Sequence, residues 1–411
     1  MENDLIKKLP PMLTGIELEE ALAIQPDYDP NIIDMDAATR LVSLSDVYKV
    51  FVPTNMAKEI YTRMYLSLLR SLQKKESKVA IQQYMENYKG IRQQSYNGLI
   101  GGSDSFTIIG TSGIGKSSSI TRAIQLLTTE EIIEVRQPYT KVIPCVLVQT
   151  PFDSSVKGLL FEILRVVDEK LGSKYYNNAL RVNATTDMLI GCVSQVALNH
   201  IGLLVVDEIQ NVVNHKNGKT LIGCLTQLIN NSGISIAMIG TPESASFFSQ
   251  AMQLARRSLG LQYEALEFGE EFQHICEVLY RYQYVKNRTQ LDFATIQWLY
   301  EHSNGNISTV VGLLHDAQEM AILDGSEVLN IHTLRATYQT RMAMLHPYIS
   351  TPKRSQTSTL KKKKQAIMPE VIPEIPAEEI SISTLVQRAK NESRDIVPFL
   401  QSYITVEVVK I

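Results

Sequence analysis

The stretch Thr107–Ile120, TIIGTSGIGKSSSI, decides how this chain is read. It matches the pattern GxxxxGK[ST] at Gly110, Gly115, Lys116 and Ser117. A short apolar run, SFTIIG, precedes it, and the helical pattern ITRAIQLL follows. In such a loop the glycines let backbone N–H groups wrap phosphate oxygens, and the next helix adds its positive end. The predicted cradle is Gly110, Thr111, Ser112, Gly113, Ile114, Gly115, Lys116, Ser117 and Ser118. Lys116 is expected on the β- and γ-phosphates and Ser117 on a Mg²⁺ ion. Kinases, motors and switches all carry this loop, so the rest of the chain must say what the phosphate is for.

Outward from the loop, apolar runs alternate with helical patterns. KVIPCVLVQT, IGLLVVDE and GISIAMIGTP read as further strands, and YEALEF as a candidate fifth. The runs lack alternation, as strands covered on both faces do. The pattern predicts an α/β fold with a parallel five-stranded sheet.

The third strand ends in Asp207 and Glu208, at the edge where open α/β sheets bind ligands. Asp207 is expected to hold Mg²⁺ through its water shell, and Glu208 to act as the base on an attacking water. That pairing makes hydrolysis the expected reaction, not transfer to a second substrate. Thr241, in MIGTP, sits where a hydroxyl meets the γ-phosphate or a water; a plain Thr-Pro turn explains it equally well. Arg256 and Arg257, in QLARRSLG, are either solvated surface or, in a ring, an arginine finger reaching a neighbour's nucleotide.

Composition sets outer bounds. The 411 residues allow two or three domains. Net charge is −3, so nucleic-acid binding must come from a local patch. Cys145, Cys192, Cys224 and Cys276 lie far apart with no CxxC pair, which favours reduced thiols over a zinc site or disulfides. No apolar run reaches membrane-spanning length and the first residues lack a secretory pattern, so a cytoplasmic location is expected.

Taken together, GTSGIGKSSS, GLLVVDEIQNV and IGTPES…ARRSLG, with a helical stretch after the sheet, resemble AAA+ ATPases, and more closely the TnsC/TniB group of DNA-transposition regulators. The resemblance spans roughly residues 40–347. It implies ATP as the nucleotide and assembly into a ring (a hexamer or heptamer) or a helical filament on double-stranded DNA without sequence preference. It also implies contact with transposase subunits and a target-selecting protein, with no membrane role, in a bacterial cytoplasm. Gly110 to Ser117 take the Walker A role, Asp207 and Glu208 Walker B, Thr241 sensor 1, and Arg256 or Arg257 the finger. By the same resemblance the element after the second strand faces DNA, which makes Lys157 and Lys174 candidates for phosphate contacts; solvated surface lysines are the alternative. The lid departs from the family pattern: Ser308 stands where many relatives carry a sensor-2 arginine. That departure points to slow or partner-stimulated hydrolysis. A replication initiator or helicase loader, also initiator-like AAA+ proteins, is the alternative function, although no winged-helix reader is evident after residue 347.

The expected organisation is an N-terminal arm (1–54), a basic helical extension (55–95), an ATPase core (96–268) and a helical lid (269–348). A proline-spaced linker (349–380) and a flexible C-terminal tail (381–411) suited to docking on a partner follow.

Overall fold

The computed structural model describes residues 4–76, 105–136, 139–151, 155–213, 218–244 and 259–343. The expected linker, the tail, residues 77–95 of the extension, and both Arg256 and Arg257 lie outside these residues.

Six strands form one sheet: β1 (Phe106–Gly110), β2 (Ile133–Arg136), β3 (Tyr139–Gln149), β4 (Ile201–Asp207), β5 (Ser235–Gly240) and β6 (Leu259–Tyr263). Their spatial order is β2-β3-β4-β5-β1-β6. Five strands run parallel, and β2 pairs antiparallel with β3 at one edge. Every residue of β1, β4 and β5 is buried, which accounts for the unalternating runs.

Two details differ from the sequence reading. The sheet has a sixth strand, β2, whose four residues are too short to stand out from their surroundings. The last strand is Leu259–Tyr263, which shares only Tyr263 with YEALEF. Its partner β1 ends at Gly110, paired with Tyr263, where the chain turns into the phosphate loop. Beyond Tyr263 there is no ladder left to join, so Glu264–Phe268 leaves the sheet.

Helices cover both faces. One face packs Val156–Leu171, Thr186–His200 and Gly218–Ser232 onto β3, β4 and β5. The other packs Asn55–Glu76 and Lys116–Leu127. In Asn55–Glu76 the residues Ile60, Met64, Leu68 and Leu72 are fully buried. The helix is thus a wall of the sheet's core, and its cations are partly engaged. Lys58 lies 3.6 Å from Glu19, and Lys75 Nζ donates to the carbonyls of Ala197, at 2.8 Å, and Leu198. Those carbonyls end the helix Thr186–His200, where a cation is favoured.

A third core belongs to the helices Glu270–Tyr280, Phe293–Ser303, Ile307–Asp324 and Ile331–Thr340. Each of the last three starts at an Asp or Asn whose side chain caps it: Asp292, Asn306 and Asn330.

Residues 4–54, which lack strong periodicity and read from sequence as an N-terminal arm, form five short helical segments. Leu5, Leu9, Leu18 and Leu22 join the sheet's core, whereas Leu44 and Val47 join the lid's. Arg40 fixes the second half. It is 1% exposed, forks onto both Glu327 carboxylate oxygens at 2.6 Å, and donates to Tyr284 O at 2.9 Å. Tyr28 stacks edge-on against Tyr282 and Tyr284 beside it. No helix among the described residues is long and apolar enough to cross a membrane.

Candidate nucleotide site

The phosphate loop leaves β1 at Gly110 and enters the helix Lys116–Leu127 through Gly115, whose φ of 94° is left-handed. Lys116 is therefore the first helical residue, and it is 9% exposed. Its ammonium reaches back over the loop to Gly110 O at 2.6 Å and Thr111 O at 2.8 Å. Burial pushes this lysine below its usual range, while Asp207, Glu208 and Glu243 act in the opposite sense.

The predicted acidic pair lies beside the loop. Ser117 Oγ donates to Asp207 Oδ2 at 3.0 Å. Asp207 Oδ1 accepts from the Glu208 amide at 2.8 Å. Glu208 adopts a left-handed φ of 56°, uncommon for a non-glycine residue and typical of functional turns. Its carboxylate accepts from Gln210 Nε2, and Gln210 Oε1 is buried without a hydrogen-bond partner. Thr150, at the end of β3, donates both its hydroxyl and its amide to Asp207 O at 2.9 Å. Thr241 lines the same cavity, and its hydroxyl hydrogen-bonds Glu243, holding that carboxyl below the usual range.

These residues line one cavity of about 390 Å³. One end is polar: Ser112 to Ser119, Asp207, Glu208, Gln210 and Thr241. The other end is apolar. It is built by Tyr48, Val50, Phe51 and Val52 from the N-terminal segment and by Ile275, Leu279, Ile307 and Val311 from the lid. A flat, weakly polar ring at one end and a polyphosphate at the other suit this division. The donor set also fits Mg²⁺, with a hydroxyl and a carboxylate already side by side.

Sequence reasoning missed the apolar end. The segment Val47–Pro53, VYKVFVP, reads as a short apolar run before a proline, and nothing in it names a ligand. Its position comes from pairing with Ile24: Ile24 N donates to Phe51 O, and Phe51 N to Ile24 O, both at 2.9 Å. Gln210 was also missed, since a glutamine after VVDEI has no distinctive spacing.

Lys157 and Lys174 do not line the cavity. Lys157 is in the first turn of Val156–Leu171, with its ammonium 5.8 Å from the Phe161 ring centre. Lys174 is exposed at the start of Tyr175–Arg181. All four cysteines are free, and burial pushes the thiols of Cys145, Cys224 and Cys276 up to about 12. Among the described residues no cluster of His, Cys, Asp and Glu has metal-site form.

Comparison with known proteins gives three kinds of result. No curated protein matches the chain. Among solved structures, the Aeropyrum pernix ORC1 protein in complex with DNA is similar at 12% identity over 62% of this chain and 63% of that one, just under two thirds of its length, with a TM-score of 0.42. Drosophila ORC bound to DNA is similar at 12% identity over 84% of this chain and 74% of that one, with a TM-score of 0.45. The Thermotoga maritima RuvB Holliday junction branch migration motor is similar at 12% identity over 64% of this chain and 68% of that one, with a TM-score of 0.34. A family model, that of the bacterial TniB protein, matches residues 101–264, which hold the phosphate loop, Asp207, Glu208 and Thr241. The family suspected from the motifs is thus the one whose model matches this α/β segment: TniB.

Proposed function

We propose that the chain is an ATP-dependent regulator of DNA transposition, an AAA+ ATPase that assembles on double-stranded DNA and hands a chosen target to the transposase. One observation carries this reading: within the TniB-matching segment, the loop lysine, the Ser117–Asp207 pair and Glu208 converge on one cavity.

In this reading the N–H groups of residues 111–117 and Lys116 hold the polyphosphate, and the apolar end holds the base. Ser117 and Asp207 hold Mg²⁺, which when bound neutralises charge on the phosphates. Glu208 takes the proton of the attacking water. Thr241 and Glu243 orient that water from the β5 side. Arg256 or Arg257 of a neighbouring subunit completes the site, so turnover depends on assembly. Lys157 and Lys174 lie against DNA phosphates, which gives binding that weakens with salt and ignores sequence. Residues 381–411 dock on the transposase.

Glu208→Gln removes the base while keeping the shape of the side chain. Complexes of this variant with ATP and DNA are expected to outlive wild-type complexes. Equal lifetimes, followed by single-molecule imaging or filter binding, contradict the role given to Glu208.

A further inference from the structure

The phosphate loop is held from outside as well as within. Asn306, the cap of the lid helix Ile307–Asp324, donates from Nδ2 to Ser112 O at 2.8 Å. Two residues on, the Ser308 amide donates to Gly113 O at 3.0 Å. The fit is close. Gly113 has a φ of 82°, and a Cβ there would lie 2.6 Å from Asn306 Oδ1. The general motif GxxxxGK leaves that position free; here the left-handed φ calls for glycine, and a side chain would also push Asn306 from its place. The turn before Asn306 is equally tight. Gly305 has a φ of 73°, and its Cβ would fall 1.8 Å from Leu266 O. Leu266 N donates in turn to Gly305 O at 3.1 Å, so the segment leaving β6, the lid turn and the loop form one locked set.

The polarity of these bonds matters. Both accept on loop carbonyls, leaving the loop N–H groups for phosphate. Ser112 C=O shares a peptide unit with Gly113 N–H, and Gly113 C=O with Ile114 N–H. Donation to the carbonyl polarises the N–H of the same unit and strengthens it as a phosphate donor. Those N–H groups belong to the part of the loop that cradles the α- and β-phosphates. The lid residues lining the cavity, Ile275, Leu279, Ile307, Ser308 and Val311, carry no charge with which to address a γ-phosphate.

We propose that Asn306 and the Ser308 amide are a lid-borne latch that sets the phosphate loop, tightening its grip on the diphosphate common to ATP and ADP without discriminating between them. Asn306 is a positioning residue in this role, and the inference rests on the nucleotide-binding reading above. A consequence is that the lid stays engaged after hydrolysis, and that ATP is told from ADP by groups outside the lid.

The test uses the full-length chain and Asn306→Ser. Serine keeps a neutral oxygen to cap the Thr309 amide, which Asn306 Oδ1 now does at 3.3 Å. It is too short to reach Ser112 O. Affinities for fluorescent ATP and ADP analogues, melting temperature, and amide exchange of residues 111–115 without nucleotide are measured. The latch predicts unchanged melting, both affinities weaker by roughly fivefold with their ratio constant, and loop amides exchanging roughly fivefold faster. Loss for ATP alone overturns it, because the lid then reads the γ-phosphate. Unchanged affinities and exchange also overturn it, because Asn306 is then only a cap. Wild-type protein that binds neither nucleotide refutes the ATPase reading itself, and the latch falls with it.

Discussion

Arg40 offers a quantitative test of how the N-terminal residues are tied to the lid. Arg40→Met keeps most of the side-chain volume and removes the guanidinium. Four contacts go: two to Glu327, one to Tyr284 O, and one to Met35 O at 3.2 Å. Breaking a buried ion pair from one side costs about 3–5 kcal/mol, because the other charge is left without its partner. Glu327 keeps 15% exposure and the Lys286 amide at 3.2 Å, so the low end, about 3 kcal/mol, applies here. At 1.36 kcal/mol per decade that is roughly a 150-fold rise in the lid's opening constant. Native-state hydrogen exchange of the full-length chain reads it directly. Amides of Glu270–Tyr280 and Ile307–Asp324 are expected to lose protection by about that factor, and those of β4 and β5 to keep theirs. Adding Glu327→Gln removes the stranded charge and is expected to restore part of the loss. The pair also sets a pH dependence. The Arg40 hydrogen bond holds the Glu327 carboxyl below its ordinary value of 4.5. A depressed carboxylate stabilises the fold above the unfolded value, and that contribution is lost as pH falls through the folded value. Lid protection in wild type is thus expected to drop below about pH 4.5, and in Arg40→Met to show no such step. Equal loss of protection in lid and sheet, or no loss at all, refutes the idea that Arg40 ties the N-terminal residues to the lid.

Two further substitutions probe packing away from the nucleotide. Lys75→Ala takes the ammonium from the Ala197 and Leu198 carbonyls at a helix end, of which Ala197 O keeps the Ile201 amide, and is expected to cost about 1–3 kcal/mol by urea denaturation; a change below about 0.5 kcal/mol means water replaces the ammonium freely. Gly305→Ala puts a methyl 1.8 Å from Leu266 O on a left-handed backbone, so the lid turn must move. Nucleotide affinity should fall with the melting temperature, and a variant that melts and binds like wild type contradicts the locked arrangement of lid and loop.

Much of this molecule is written plainly in its sequence, and the reasons differ by element. Gly110–Ser117 and Asp207–Glu208 stand out because they match a motif whose residue types recur at fixed spacing. Strands β1, β4 and β5 stand out because burial on both faces forbids polar interruptions. The apolar end of the cavity does not, because Val50, Phe51 and Val52 reach it through a two-bond pairing with Ile24 and a lid more than 200 residues downstream. Asn306 reads from sequence as an ordinary helix cap, and only the fold brings its amide to Ser112. Ser308 marks a side-chain function missing from the lid, yet its backbone amide makes a contact that no side-chain pattern can encode.

The central claim is that nucleotide in the Gly110–Ser117 loop controls assembly on DNA. It is tested most directly by imaging the full-length chain with double-stranded DNA, with and without a non-hydrolysable ATP analogue, beside Lys116→Ala. Lys116 donates charge-assisted bonds worth about 1.5–3 kcal/mol, so its removal should cost roughly 10- to 100-fold in ATP affinity. At an analogue concentration near the wild-type dissociation constant, the account predicts ordered assemblies of wild type on DNA only with the analogue, and none of Lys116→Ala under the same conditions. Assemblies of Lys116→Ala indistinguishable from wild type, or wild-type assemblies indifferent to nucleotide, contradict it.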